Sequence, residues 1–199
     1  MEERSRDLTA LIGSRICHDL ISPIGAIGNG LELMAMSDVG AGPELSLINE
    51  SVANANARIR FYRVAYGSSG DGQSLGRSEI VGLLDDITRG AKLSYHWEPV
   101  GDILRREVKL AFLALQCLEY SMPYGGDVIV ERQEGNWTLK GEAKKLRIEP
   151  HLWSFLTAPD NETEIAPSEV QFALLPELLA ETGRRATAQM SDTHITVAF

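Results

Sequence analysis

Apolar and small side chains recur at alternating spacings of three and four residues along two stretches of the chain, residues 6–37 and 45–66. This heptad period is typical of helices that pack along a coiled-coil-like seam. The predicted seam positions are Gly13, Cys17, Leu20, Ile24, Ile27, Leu31 and Met34 in the first stretch, and Leu45, Ile48, Val52, Ala55, Ile59, Tyr62 and Tyr66 in the second.

The segment between the two repeats, SDVGAGP at positions 37–43, is rich in glycine and small residues and predicts a turn. Two long helices joined by a short turn form an antiparallel hairpin. One hairpin covers only one side of each seam, so two copies would complete a four-helix bundle. We therefore expect an N-terminal helical hairpin that dimerises into a homodimer.

The pattern changes after residue 66, where YGSSGDGQSLGRS is rich in glycine and serine. This composition predicts a linker, residues 69–77, between a hairpin domain of residues 1–68 and a second domain of residues 78–199. The second domain mixes the two periods: helices are predicted at 78–90, 104–122, 151–156 and 167–183, a strand at 91–99, and hairpins at 127–142 and 185–199. We expect an α+β protein whose second domain is an α/β sandwich, one antiparallel-rich sheet covered by helices.

Composition narrows the classes of function. The formal net charge is −9 and the isoelectric point is near 5.0, which argues against nucleic acid or an anionic membrane surface as partner. The N-terminus is polar, and no run approaches the ~20 apolar residues of a membrane span. Cys17 and Cys117 lie in apolar helical patterns and predict buried free thiols in a reducing setting. We expect a cytoplasmic protein.

Candidate chemistry is concentrated at His18 and Asp19 in the first predicted helix. With Cys17 and Leu20 on the seam, His18 falls on the outward face, where an imidazole is a nitrogen nucleophile that needs little activation. Asp19 could orient the imidazole or assist proton transfer. Pro23 removes the backbone hydrogen bond to the Asp19 carbonyl, so the helix should loosen or bend there.

The side chains predicted to surround His18 on the helix surface are unusually small or polar. Small side chains leave room for another protein to bring its own active site onto the imidazole, and Arg15 could offer charge to a phosphoryl group. An incidental His-Asp pair is the alternative interpretation. The residues expected to bind a partner are Ser14, Arg15, Ile21, Ser22, Gly25 and Asn29.

The string SRICHDLISPIGAIGNGLEL, at positions 14–33, is similar to the ChpT-type histidine phosphotransferases. Within it, HDLISP resembles the H-box of sensor histidine kinases, which is His, an acidic residue, three variable residues and Pro. The resemblance implies a dimeric helical bundle followed by a domain like a histidine-kinase ATPase domain that has lost ATP binding. It also implies that His18 accepts a phosphoryl group from the receiver domain of a hybrid kinase and passes it to response-regulator receiver domains.

The sequence departs from the kinases at the nucleotide site. Pro123, Gly125 and Gly126 match the end of the kinase helix that carries two asparagines, but the asparagine positions correspond to Leu113 and Cys117. An aliphatic residue cannot ligate magnesium, and no Asp-x-Gly-x-Gly loop follows. We expect no cofactor or metal on this chain, with magnesium supplied by the receiver partner. A sensorless histidine kinase and a non-catalytic dimeric adaptor are the alternatives to a phosphoryl carrier.

Overall fold

Two long helices form the N-terminal part of the protein, as the heptads predict: α1 spans Glu2–Met36 and α2 spans Pro43–Ala65. The computed structural model describes residues 2–36, 42–68, 70, 72–159 and 163–199, and the side chains of residues 2–7, 35 and 36 lie outside that description. Most of the turn predicted at 37–43 also lies outside it. Among the described residues, no helix is long and apolar enough to span a bilayer.

The two helices do not pack along the whole predicted seam of α1. Pro23 and Gly30 are buried, whereas four predicted seam residues are exposed. These four are Gly13, Cys17, Ile24 and Leu31. Within one hairpin, α2 therefore does not cover these four positions, and the Cys17 thiol, which was predicted to be buried, is exposed in the single chain.

Gly30 explains why α2 contacts a different face of α1 from the predicted one. A Cβ at this position would lie 2.6 Å from Cγ1 of Ile48, so the Ile48 side chain packs directly on the Gly30 backbone and a larger residue there would displace it. A small residue allows two helices to pack closely at its position and can therefore set which face of a helix is in contact. The spacing of large apolar residues does not predict such a contact. On α2 the predicted seam holds at Ala55 and Tyr62, which are buried.

The second domain is the predicted α/β sandwich. Its elements in chain order are β1 (Ser74–Leu75), α3 (Arg77–Thr88), β2 (Leu93–Trp97), β3 (Ile103–Leu104), α4 (Arg105–Ser121), β4 (Gly126–Gln133), β5 (Asn136–Glu142), α5 (Pro150–Thr157), a short 3-10 helix (Pro167–Glu169), α6 (Val170–Glu181), β6 (Thr187–Met190) and β7 (His194–Ala198). Five strands form one sheet in the order β2-β4-β5-β7-β6, in which β2 and β4 are parallel and the other pairs antiparallel.

One pair of strands was not predicted. β1 pairs with β3 in an antiparallel register, with Ser74 opposite Leu104 and Leu75 opposite Ile103. β1 lies inside the predicted linker of residues 69–77, so part of that segment belongs to the second domain. Between α4 and β4, Gly125 has φ +90° and a Cβ there would lie 2.1 Å from the Lys92 carbonyl oxygen, so the turn at this point requires glycine.

α4 is the centre of the core, as its apolar second half predicts. Its residues from Ala111 to Leu115 have no exposed surface, and Trp137 and Trp153 are buried around it. Leu113 and Cys117, which the sequence analysis aligns with the kinase asparagines, are fully buried in this core.

The second domain also packs against α1. Leu8 of α1 forms a buried apolar cluster with Phe155 of α5 and with Val170 and Ala173 of α6. Seven residues further along α1, Arg15 Nη1 donates to the Ser168 carbonyl oxygen at 2.7 Å. The second domain therefore contacts one side of α1 between Leu8 and Arg15, ending one turn before His18.

Candidate functional site

His18 projects from α1 into solvent, with 81% of its side chain exposed. The helix runs without interruption through Pro23, which has no N–H to donate to the Asp19 carbonyl. Five of the predicted partner-binding residues are exposed with it, so the structure brings them to one accessible face. They are Ser14, Ile21, Ser22, Gly25 and Asn29.

Asp19 contacts the His18 ring although the two residues are adjacent in the helix. Its side chain is only 10% exposed, and Oδ1 lies 3.1 Å from Nδ1 of His18. In the tautomer that carries its proton on Nδ1, the ring donates to this carboxylate and Nε2 keeps its lone pair in solvent. The arrangement therefore presents a nucleophilic nitrogen outward.

The other carboxylate oxygen of Asp19 is contacted from both helices of the hairpin. The Tyr62 hydroxyl of α2 donates a hydrogen bond to Oδ2. Arg15 Nε forms an ion pair with the same oxygen at 2.8 Å, and Arg58 Nη1 lies 3.8 Å away. The Asp19 carboxylate therefore connects the His18 ring to α2.

These contacts decide the ionisation of the site. Burial alone would raise the pKa of the Asp19 carboxyl, but the hydrogen bond from Tyr62 and the charge of Arg15 outweigh it, so the pKa lies below its ordinary value. Burial and the neighbouring Asp19 raise the pKa of Tyr62 to about 12. At neutral pH, Asp19 is consequently a charged acceptor and Tyr62 a neutral donor.

Arg15 lies elsewhere than the partner-binding face on which the sequence analysis put it. Its side chain is 17% exposed and is turned toward Asp19 and the 3-10 helix of the second domain. Sequence reasoning missed Tyr62 and Arg58 as members of the site. One signal was available for Tyr62, because a tyrosine at a seam position needs a partner for its buried hydroxyl.

A groove of about 330 Å³ opens between α1 and α2 beside Asp19. Ser22 and Pro23 line it from α1, and Ser51, Asn54 and Arg58 line it from α2. Arg58 Nε donates to Asn54 Oδ1 at 2.9 Å, which holds the guanidinium at the rim.

In the part of the chain that the structure describes, no group of three or more His, Cys, Asp or Glu residues could hold a metal ion.

Comparisons with known proteins agree on one family. Residues 77–194 match the family model described as histidine phosphotransferase C-terminal domain. The chain is 35% identical over 173 residues to the protein phosphotransferase ChpT of Brucella abortus (strain 2308). The aligned region covers 83% of this chain and 81% of that protein. A solved structure of a bacterial phosphotransferase superposes with a TM-score of 0.80 at 29% identity, covering 96% of this chain and 95% of the other.

Proposed function

The chain belongs to the histidine phosphotransferase family, and on that premise we propose that His18 is the residue that carries the phosphoryl group. Membership makes the protein a histidine phosphotransferase of a phosphorelay. The observation that supports His18 is its ring, which is exposed at Nε2 and held at Nδ1 by the Asp19 carboxylate.

The donor is the aspartyl phosphate of a hybrid-kinase receiver domain. The lone pair on Nε2 of His18 attacks phosphorus, the N–P bond forms, and the O–P bond of the aspartyl phosphate breaks to release the receiver's carboxylate. The positive charge that develops on the ring lies beside Asp19. The reverse attack, by the carboxylate of a response-regulator receiver, removes the group. Such transfer depends mainly on positioning and charge neutralisation, so the carrier needs little beyond the placed imidazole.

The docking face for receivers surrounds His18. Its exposed residues on α1 are small or polar apart from Ile21, which leaves space for a receiver to approach the ring closely. The receiver brings its own acidic pocket and magnesium ion. No metal or nucleotide from this chain enters the proposed reaction.

The protein functions as a homodimer in this proposal. Three exposed residues at seven-residue spacing run along α1, namely Cys17, Ile24 and Leu31, and three more run along α2, namely Leu45, Val52 and Ile59. Apolar stripes on both helices of a hairpin favour pairing with a second hairpin into a four-helix bundle. His18 follows Cys17 and points about 100° around the helix from it, so the pairing leaves the ring free.

Sedimentation equilibrium tests the dimer. Ile24→Lys combined with Val52→Lys places two charges on the stripes, and we expect a monomer at micromolar concentration. Ile21→Lys is the matched control, since Ile21 is 68% exposed but lies on the His18 side of the helix. The control should remain dimeric. A wild-type monomer, or a dimer that survives the double change, contradicts the proposal.

A labelled receiver phosphate tests the carrier. We expect the wild-type protein to take label from a phosphorylated receiver and not from ATP, and His18→Gln to take none. His151→Gln, a change at another exposed histidine, should be labelled like the wild type. Label from ATP would instead identify a sensorless kinase, and no label from either source would identify an adaptor. Persistent label in His18→Gln would refute His18 as acceptor.

A further inference from the structure

The Asp19 carboxylate divides its two oxygens between different partners. Oδ1 lies against His18, whereas Oδ2 receives the Tyr62 hydroxyl and the Arg15 guanidinium. Tyr62 belongs to α2, and Arg15 is itself bound to the Ser168 carbonyl oxygen of the second domain. The orientation of this carboxylate is therefore set by groups that do not touch His18.

We propose that Tyr62 is a positioning residue for phosphotransfer, acting on His18 through the Asp19 carboxylate. This inference rests on the proposed role of His18 as phosphoacceptor. Tyr62 fixes Oδ2, so that Oδ1 stays opposite Nδ1 of His18 and the ring keeps its proton there. Nε2 is then left with its lone pair facing the receiver.

Tyr62 is suited to this task because its own ring is buried and packed against other rings. The side chain is buried, and its ring packs against Phe61 and Tyr66 with centroids 6.0 Å and 5.4 Å away. A hydroxyl on such a ring is directed at one place. Burial and the neighbouring Asp19 also raise the pKa of Tyr62 to about 12, so its hydroxyl is a protonated donor at neutral pH.

His18 needs such help because it has little support of its own. Within the described part of the chain, the Asp19 carboxylate is the hydrogen-bond partner of the His18 ring. If the Tyr62 hydroxyl is removed, Oδ2 keeps only the charges of Arg15 and Arg58, which attract the carboxylate but do not fix its plane as a hydrogen bond does. The carboxylate can then turn away from Nδ1, and the ring can rotate or exchange tautomers.

Tyr62→Phe tests the inference, with Tyr66→Phe as the matched control. Both changes remove one hydroxyl from a shielded tyrosine on the α2 side of the molecule, but the Tyr66 hydroxyl donates to Gln116 at 2.6 Å and not to Asp19. The first readout is the single-turnover rate of transfer from a phosphorylated receiver. We expect Tyr62→Phe to slow it roughly tenfold and Tyr66→Phe to change it less than about twofold.

The second readout uses the unphosphorylated protein without any receiver. Nitrogen-15 NMR of the imidazole reports which ring nitrogen carries the proton. We expect the Nδ1–H form at His18 in the wild type and in Tyr66→Phe, and a shift toward the Nε2–H form in Tyr62→Phe. A melting temperature for each variant shows that the fold is retained.

A double variant identifies the route. If Tyr62 acts through Asp19, then Asp19→Asn with Tyr62→Phe transfers no more slowly than Asp19→Asn alone. Multiplying losses, equal losses in the two Tyr→Phe variants, or an unchanged rate in Tyr62→Phe each overturn the inference. Label that persists in His18→Gln overturns the acceptor assignment instead, whereas the tautomer measurement still reports on the link from Tyr62 to His18.

Discussion

The ring of Phe61 on α2 stacks on the ring of Phe112 on α4, with centroids 4.6 Å apart and planes within 5° of parallel. Both side chains are buried, so the hairpin and the second domain share one apolar core. Two side chains of α4 reinforce the junction: Arg105 Nη2 donates to the Arg63 carbonyl at 2.6 Å, and Lys109 Nζ donates to the Gly67 carbonyl at 3.0 Å. The chain segment that predicts a flexible linker thus follows a firmly packed contact.

Phe61→Ala should destabilise both parts of the protein together. Deleting a buried phenyl ring lowers the free energy of unfolding by about 3 kcal/mol or more. Denaturation followed by tryptophan fluorescence reports on the second domain, which contains Trp97, Trp137 and Trp153, and far-ultraviolet circular dichroism reports on the helices of both parts. The two curves should coincide in the wild type. Separate transitions would show that the hairpin and the second domain unfold independently.

The stability of the second domain should depend on pH through Glu107. Burial raises the pKa of this carboxyl, but hydrogen bonds from Arg184 and Trp137 outweigh it and hold the pKa below the ordinary value of 4.5. A lowered folded pKa adds stability above about pH 4.5, and this contribution disappears as the pH falls through the folded value. Urea denaturation from pH 7 to pH 3 should therefore show a steeper loss in the wild type than in Glu107→Gln.

Arg184→Ala should be more harmful at neutral pH than an ordinary surface change. It leaves the buried Glu107 carboxylate with Trp137 and, at 3.9 Å, Arg132 as its nearest partners. We expect the free energy of unfolding to fall by about 2 kcal/mol at pH 7. The difference from wild type should shrink as the pH falls through the folded pKa of Glu107, since protonation removes the charge that Arg184 pairs with. A difference that is constant across the pH range would contradict this account.

Nucleotide should not bind to the second domain. Leu113 and Cys117, which the sequence analysis aligns with the asparagines of histidine kinases, both have no exposed surface. They pack in the core and present no ligand to magnesium. Calorimetric titration with magnesium ATP up to millimolar concentration should show no saturable heat. Micromolar, magnesium-dependent binding would refute the prediction and restore the kinase interpretation.

The sequence predicts most elements of this fold because their patterns are local. The long runs of α1, α2 and α4 follow their heptads or apolar stretches, and the β4–β5 hairpin turns at Gly135 as its spacing indicates. β1 and β3 escape prediction because a two-residue strand has no period to detect. The face on which α1 packs escapes it because Gly30, a residue without a side chain, sets the contact.

The site divides in the same way. The sequence predicts His18 and its exposed face from the positions of neighbouring residues on one helix and from the resemblance to histidine phosphotransferases. Tyr62 lies 43 residues beyond Asp19, and no local pattern pairs the two side chains. The inward turn of Arg15 depends on Ser168, 153 residues away, which only the docking of the second domain brings near. These long-range hydrogen bonds form only when the fold brings their partners together, so they cannot be inferred from spacing.

Gly25 tests whether receivers dock on the face of α1 that carries His18. It is exposed, and a Cβ built there would meet no atom within 4 Å, so the fold itself does not require a glycine. Glycine inside a helix is less favourable than alanine by about 1 kcal/mol, so Gly25→Ala should raise the free energy of unfolding by up to about that amount. Gly25→Leu should keep the fold and the dimer yet slow transfer from a receiver by about tenfold or more, because a shift of about 1 Å in reacting geometry can cost on the order of a hundredfold. Gly82→Leu on α3 is the matched control, since Gly82 is likewise exposed with open space around it. The measurements are single-turnover transfer and sedimentation of the three variants. Equal transfer rates in Gly25→Leu and Gly82→Leu would remove this face from the receiver interface. A loss confined to Gly25→Leu means that residue 25 is a glycine because a partner packs over it.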